Sequence, residues 1–297
     1  MRVLAPAKVN LYLRIPGRRA DGYPLLDSVM VPVSLCDELE ITVENQTERA
    51  AEGKPQILVT CDEPTLPTDE TNLAYRAAAL FCKEAEVTPK ILIALRKSIP
   101  SGAGLGGGSS DAAAVLKSLN QLFSQRFSEQ QLCALAVRLG ADVPFFIPCQ
   151  PARVEGIGEI LTFLPPLPPQ RLVLVVPPFG VSTPWAYHQF DELPARTEPV
   201  SAELRQFAHG QWPPLSCLVN DLERAVVPTY TAIRDIKEQL VYAGADGVLM
   251  SGSGSSVFGI FSREEIAEHA VVSLKERGKT FLVKPLTGPP RASRIGL

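Results

Sequence analysis

Five glycines fall within the seven residues from Gly102 to Gly108, inside the run Ile99-Pro100-Ser101-Gly102-Ala103-Gly104-Leu105-Gly106-Gly107-Gly108-Ser109-Ser110-Asp111. The run follows a strand-like segment, Lys90 to Leu95, and precedes an alanine-rich stretch with helical spacing. Residues without side chains let a ligand approach the backbone. A helix start adds N–H groups with no partner at the positive end of a dipole. Together they make an anion cradle suited to a polyphosphate. A tight turn alone needs one or two glycines, not five.

Three familiar glycine patterns are set aside. Gly102-x-Gly104-x-x-Gly107 has dinucleotide spacing, but the acid expected about 20 residues on, at a strand end, falls near Glu129 at the start of another helix. A Walker loop needs G-x-x-x-x-G-K-[ST]. The nearest approach, Ser273 to Thr280, begins with Ser and ends a helix. A protein-kinase loop would place Val where Ser109 stands, and the chain contains no H-R-D. A phosphate loop with no lysine of its own remains.

The chain around this loop has 297 residues, 45% hydrophobic and 21% charged, enough for a sizeable core in one large or two moderate domains. A net charge of −3 without a basic tract argues against a nucleic-acid partner. Cys36, Cys61, Cys82, Cys133, Cys149 and Cys217 are scattered without a C-x-x-C pair. They read as small core residues of a reducing compartment, not a disulfide frame or zinc site. The N-terminus lacks the apolar run of a signal peptide, and no apolar segment reaches membrane-spanning length. A cytoplasmic protein with a small-molecule substrate and no membrane partner is expected. Oligomeric state has no signal in the sequence.

Hydrophobic spacing predicts the elements that position the loop. Val9 to Ile15 alternates like a half-buried strand, and Glu38 to Val43 and Gln56 to Thr60 are further strands. Asn72 to Glu86 and Asp111 to Phe123 are helices, the second with Val115, Leu116, Leu119 and Leu122 inward. Ser128 and Gln131 form a capping box for the next helix, which Gly140 ends, and Gln150 to Thr162 is a hairpin. Four prolines between Leu164 and Gln170 mark a linker. The expected division is 1–164, 170–286 and a tail, 287–297. In the second part, Leu172 to Val176 is a buried strand and 180–216 is irregular. Pro228 to Tyr242 is a helix, and Gly247 to Met250 and Ser256 to Phe261 are strands around a second glycine-rich turn. Ser262 and Glu265 cap a helix ending at Gly278, and Thr280 to Lys284 is a last strand.

Three ordered segments resemble the motifs of the GHMP family of small-molecule kinases: Ala5-Pro6-Ala7-Lys8-Val9-Asn10-Leu11, Pro100 to Asp111, and Leu249-Met250-Ser251-Gly252-Ser253-Gly254-Ser255-Ser256-Val257-Phe258. Arg19-Ala20-Asp21-Gly22-Tyr23, the triple glycine, Leu139 to Phe146 and Glu155 to Glu159 are similar to one branch, whose acceptor is a cytidylyl-linked alcohol of the non-mevalonate isoprenoid route. The resemblance runs from Arg2 to about Leu286. It implies an α+β, two-domain GHMP kinase architecture: an N-terminal domain like part of a ribosomal protein, then a ferredoxin-like C-terminal domain, with the site between them. It also implies ATP with Mg2+, whose direct ligands stay unassigned.

Under that resemblance, Pro100, Ser101, Gly102, Ala103, Gly104, Leu105, Gly106, Gly107, Gly108, Ser109 and Ser110 bind ATP. Asp142 is the candidate base and Lys8 its cationic partner, although either residue alone would read as a helix-terminal Asp or a solvated Lys. Asn10, two residues after Lys8, shares its strand face and is placed to bond the reacting hydroxyl. Gly252 and Gly254 form a second cradle. Tyr23 and Tyr187 sandwich the cytosine ring, with Trp185 the alternative to Tyr187. One position departs from the branch: Pro24 stands where His is expected. It removes both an imidazole and a backbone donor and leaves a different small-alcohol acceptor open. A non-catalytic nucleotide-binding module is the third reading, against which Lys8 and Asp142 stand.

Overall fold

The structure is a computed structural model describing residues 1–44, 54–194, 212 and 217–290. Two sheets and their helices make an α+β fold. The first sheet is built on two long antiparallel strands, β1 (Arg2–Arg18) and β2 (Pro24–Glu44). The far half of β2 pairs with β4 (Lys90–Arg96), and β3 (Gln56–Cys61) lies parallel outside it. A parallel pair needs a crossover, which contains α1 (Leu73–Glu84). The near half of β2 pairs with the hairpin β5 (Ala152–Gly156) and β6 (Ile160–Phe163). Helices α2 (Gly107–Leu122), α3 (Glu129–Val137) and α4 (Val143–Phe146) lie between β4 and β5 in sequence.

The second sheet is antiparallel, in the order β11 (Lys279–Val283), β7 (Arg171–Val176), β10 (Val257–Phe261), β9 (Gly247–Met250). Helix α5 (Thr183–Asp191) follows β7. The two-residue strand β8 (Val219–Asn220) leaves this half of the chain to pair in parallel with Tyr12 and Leu13 of β1. Helices α6 (Glu223–Thr229), α7 (Thr231–Tyr242) and α8 (Glu264–Ser273) complete it.

Three apolar clusters hold the layers. The first packs Ala77 and Phe81 of α1 and Val115, Leu116 and Leu119 of α2 on Leu39, Ile41, Ile91 and Ile93. The second lies between the sheets, with Val9, Leu11 and Val31 against Leu172, Leu174 and Phe258. The third covers the outer face of the second sheet, with Val173 and Val175 under Ile233, Ile236 and Ala267. Strand β7 alternates between clusters two and three, so its unbroken apolar run is buried on both faces.

Several expectations need correction. Strand β1 is buried continuously from Ala5 to Arg14, not half-buried, because helices cover one face of its sheet and the second sheet the other. Helix α2 starts at Gly107, four residues earlier than predicted, so the last glycines are its first turn. The segment 180–216 contains α5, capped by the Ser182 hydroxyl; residues 195–211 and 213–216 lie outside the described residues. The helix expected over Pro228–Tyr242 is two, broken at Tyr230. Ser262 and Glu265 make no capping box: the Ser262 amide donates to Asp246 at 2.7 Å, Arg263 is the N-cap without a side-chain bond, and α8 ends at Ser273. The capping box of Ser128 and Gln131 is present. Of the expected tail, 291–297 lie outside the described residues. No helix among the described residues is long and apolar enough to cross a membrane.

Phe81 is fully buried, 5.7 Å from the Phe123 ring centroid and 5.4 Å from that of Phe127. Phe81→Ala is expected to lower unfolding free energy by about 3–5 kcal/mol, read as a fall in the urea midpoint with an unchanged m-value.

Candidate active site

Strand alternation sends Lys8 and Asn10 to one face of β1. Both are buried, at 3% and 0% exposure. Lys8 Nζ donates to Asn10 Oδ1 at 2.6 Å, Asn10 Nδ2 to Ser28 Oγ at 2.8 Å, and Ser28 Oγ to the Tyr12 carbonyl at 2.6 Å. The β1–β2 register shifts between Asn10 and Tyr12, an irregularity of the kind that re-aims side chains beside active sites. Lys8 Nζ also lies 3.5 Å from Asp142 Oδ2. Asp142 occupies the N-cap of α4 but makes no capping bond, which leaves its carboxylate to face Lys8.

The glycine run joins β4 to α2 and is clamped from both sides. The Leu105 carbonyl accepts from the Lys8 amide at 2.9 Å, the Gly104 carbonyl from Ser251 Oγ at 3.0 Å, and the Ala103 carbonyl from Ser256 Oγ at 2.6 Å. The carbonyls are therefore occupied, while the amides opening α2 carry no side-chain cap. Gly104 is required outright, and Gly106 is favoured by its left-handed backbone and tight surroundings. Gly104, at φ +74°, would place a Cβ 2.1 Å from the Ser251 carbonyl oxygen. Gly106, at φ +72°, would place one 3.0 Å from the Phe146 ring and 3.1 Å from the Lys8 stem. At Gly252 in the facing β9–β10 turn, a Cβ would lie 3.1 Å from the Gly104 carbonyl and 3.2 Å from Lys8 Nζ.

These elements enclose a cavity of about 800 Å³. Lys8, Asn10, Asp142, Gly252 and every residue from Pro100 to Ser109 line it, as do Tyr23, Pro24 and Tyr187. Burial pushes the Tyr187 phenol above its usual range, and the Asp142 carboxylate and Tyr23 push it the same way. Trp185 instead packs edge-on against Tyr230, 5.3 Å between centroids. Two expected residues do not line the cavity. Ser110 turns to another face of α2, and Gly254 abuts Met250 and Val181, while Ser253 takes the lining position.

Sequence reading missed a charged cluster on the cavity wall. Lys97 pairs with both Asp37 and Asp111. Asp37 Oδ1 also accepts the amides of Ser98 at 2.7 Å and Ile99 at 2.8 Å, fixing the entry to the glycine run. Burial pushes the Asp111 carboxyl up to about 7, with Lys97 opposing the rise and Asp37 adding to it. Asp37 lies in the middle of a strand and 60 residues before Lys97, so only the β2–β4 pairing brings them together.

The profile of the GHMP kinases N terminal domain matches residues 72–149, and that of the GHMP kinases C terminal domain matches 201–280. The 4-diphosphocytidyl-2-C-methyl-D-erythritol kinase of Citrifermentans bemidjiense is 42% identical over 280 residues, covering 94% of this chain and 96% of that one. That of Pelobacter propionicus is 43% identical over 277 residues, covering 93% and 95%. A crystal structure of 4-(cytidine 5'-diphospho)-2C-methyl-D-erythritol kinase superposes with a TM-score of 0.79 at 37% identity, covering 98% of this chain and all of that one. Homoserine kinase from Cytophaga hutchinsonii shares the fold, with a TM-score of 0.75 at 20% identity over 97% and 95% of the two chains.

Asp111 binds its proton more tightly folded than unfolded, so between the two pKa values the folded state holds more protons and loses stability as pH rises. Relative to Asp111→Asn, the wild type is expected to lose unfolding free energy from about pH 4 to about pH 7 and to level off above. Urea titrations of both proteins across that range check this.

Proposed function

The chain belongs to the GHMP kinase family, and from that premise we propose that it transfers the γ-phosphoryl group of ATP to the 2-hydroxyl of 4-diphosphocytidyl-2-C-methyl-D-erythritol. The observation that carries the mechanism is the position of Lys8 Nζ, bonded to Asn10 at 2.6 Å and 3.5 Å from Asp142, against Gly252 and beside the glycine run.

The cavity fits a nucleotide triphosphate. Its glycine wall admits backbone contact that a Cβ would block, and the uncapped start of α2 offers amides to phosphate oxygens. Mg2+ binds through phosphate oxygens with one or two protein ligands. The cavity supplies the Ser109 hydroxyl as a residue that would hold it. When bound, the ion neutralises phosphate charge.

Asp142 accepts the proton of the acceptor hydroxyl as its oxygen bonds to the γ-phosphorus. The bond from that phosphorus to the bridging oxygen breaks, and ADP leaves with the electron pair. Lys8, itself buried, stabilises the charge spread over the transferring group. Asn10 receives the hydroxyl and orients Lys8. Gly252 and Ser253 close the phosphate side from the second sheet. Tyr23 and Tyr187, both on the cavity wall, hold the cytosine ring between them, and the packing of Trp185 on Tyr230 favours Tyr187 for that role. We divide the chain into residues 1–164 and 170–286, a reading supported by the approach of the two glycine-rich turns, Gly104 against Ser251, at this site.

Pro24 opens β2 and lines the same cavity, where it offers no donor to a base edge. The lost bond weakens cytosine binding without touching the phosphoryl-transfer groups.

A coupled assay of ADP release is expected to show turnover with the cytidylyl acceptor and background rates with mevalonate, galactose and homoserine. Turnover with one of those instead would overturn the acceptor assignment. Asp142→Asn is expected to lower kcat about 10²–10⁴-fold and Lys8→Met about 10²–10³-fold, both with native circular dichroism. An unchanged kcat in Asp142→Asn sinks its role as base. Pro24→His is expected to lower the acceptor KM by about 5-fold or more, the equivalent of about 1 kcal/mol for a restored hydrogen bond, while leaving the ATP KM unchanged.

A further inference from the structure

The turn between β9 and β10 that carries Gly252 is held by a residue outside both glycine segments. Strand β8 ends on Asn220, which is buried and lies opposite Leu13 of β1. Asn220 Nδ2 donates to the Met250 carbonyl at 2.8 Å and to the Gly252 carbonyl at 2.8 Å, and its Oδ1 accepts the Leu222 amide at 3.0 Å. An asparagine amide has two N–H donors, so both are committed to this turn. The next residues extend the clamp. The Asp221 amide donates to the Leu13 carbonyl at 2.9 Å, and Asp221 Oδ2 accepts the Ile15 amide at 3.0 Å. Glu223 Oε1 accepts the Met250 amide at 2.8 Å, while Oε2 accepts from Lys237 Nζ at 2.6 Å. Residues 220–223 therefore tie the turn to β1, the strand that carries Lys8 and Asn10.

A trans peptide directs its carbonyl and the following N–H to opposite sides. With the Gly252 carbonyl committed to Asn220, the trans Gly252–Ser253 peptide turns the Ser253 N–H the other way. Among the described residues nothing accepts from the Gly252 or Ser253 amide. Both residues line the nucleotide cavity, and a Cβ at Gly252 would lie 3.2 Å from Lys8 Nζ. The Ser253 hydroxyl is already engaged with that of Thr183 at 2.8 Å, which leaves the amide as the open donor. We propose that Asn220 is a positioning residue for phosphoryl transfer: by holding the Gly252 carbonyl it presents the Ser253 amide to the phosphates beside Lys8. The proposal rests on the phosphoryl-transfer reading but not on the identity of the acceptor. A donor fixed before the substrate arrives stabilises phosphate charge without reorganising. Asn220 does not line the cavity and acts only through this peptide. Without its amide the peptide is free to rotate, and the donor is lost from its place.

Measurements on the full chain test it. Amide resonance spectra of the wild type are recorded with adenosine and with the non-hydrolysable β,γ-imido analogue of ATP. The Ser253 amide proton is expected to move downfield with the triphosphate and to stay in place with adenosine. No response at Ser253, while the amides of Gly106 to Gly108 respond, overturns the proposal and leaves the nucleotide reading standing. Silence at both turns overturns the nucleotide reading and this proposal with it. Asn220→Asp keeps the acceptor for Leu222 and removes both donors, whereas Asn220→Ala removes all three bonds. With the acceptor that the ADP-release assay identifies, each is expected to lower kcat about 10- to 100-fold and to leave the acceptor KM within about twofold of wild type. Phe81→Leu, in the core under α1, is the control that loses Tm and keeps kcat. A wild-type kcat in Asn220→Asp, or an equal fall of kcat in Phe81→Leu at a matched loss of Tm, overturns the positioning role. Should neither Asn220 variant fold, the wild-type spectra decide.

Discussion

Two glycine-rich turns meet backbone to backbone, and the rest of the site depends on how close they come. With a side chain at Gly104, its Cβ would lie 2.1 Å from the Ser251 carbonyl, so neither turn can hold its place unless this position is glycine. The contact is reinforced by Ser251 and Ser256, which bond the carbonyls of Gly104 and Ala103. It joins the first sheet to the second across cluster two, and it sets the distance between the glycine run and the residues facing it. A gap here of even a methyl group would move Gly252 off the Lys8 ammonium.

The charges around the cavity divide into two kinds. Lys97 is held between two buried carboxylates and serves the wall: Asp37 also accepts the amides that lead into the glycine run. Such a cluster is worth little as net stability but resists rearrangement, because breaking any partner leaves a buried charge uncompensated. Lys8 differs. Its near partner is a neutral amide, and its carboxylate partner sits at 3.5 Å on a residue partly open to the cavity. On the proposed reading, the developing phosphoryl charge completes this arrangement, so the interaction strengthens as the reaction proceeds.

The elements with clear periodicity were legible from the chain. Helix α1, the Ser128–Gln131 capping box, the β5–β6 hairpin and the second sheet's strands all follow local rules. The misreadings have a common physical source in tertiary contact. The burial of both faces of β1 depends on a sheet contributed by residues more than 160 positions away. Ser262 reads as a cap, yet its amide is taken by Asp246 across the end of the β9–β10 pair. The extra four residues of α2 include two glycines, whose poor helix propensity is overridden by packing against Ile99 and Leu73.

The sequence by itself determined the chemistry's parts. A glycine run without its own lysine implied a phosphate cradle served by a cation from elsewhere, and the matched segments pointed to Lys8 and Asp142. Residue type and short spacing are enough for such inferences, because backbone access and strand alternation are local properties. Only the tertiary structure decided which parts share a cavity. It brought Asp142 to 3.5 Å from Lys8 across more than 130 residues, gave Tyr187 rather than Trp185 to the cavity wall, revealed the Asp37–Lys97–Asp111 cluster and turned Ser110 away from the cradle toward a second cavity. Helical phase and the packing of distant strands set those directions, and neither is encoded in a motif.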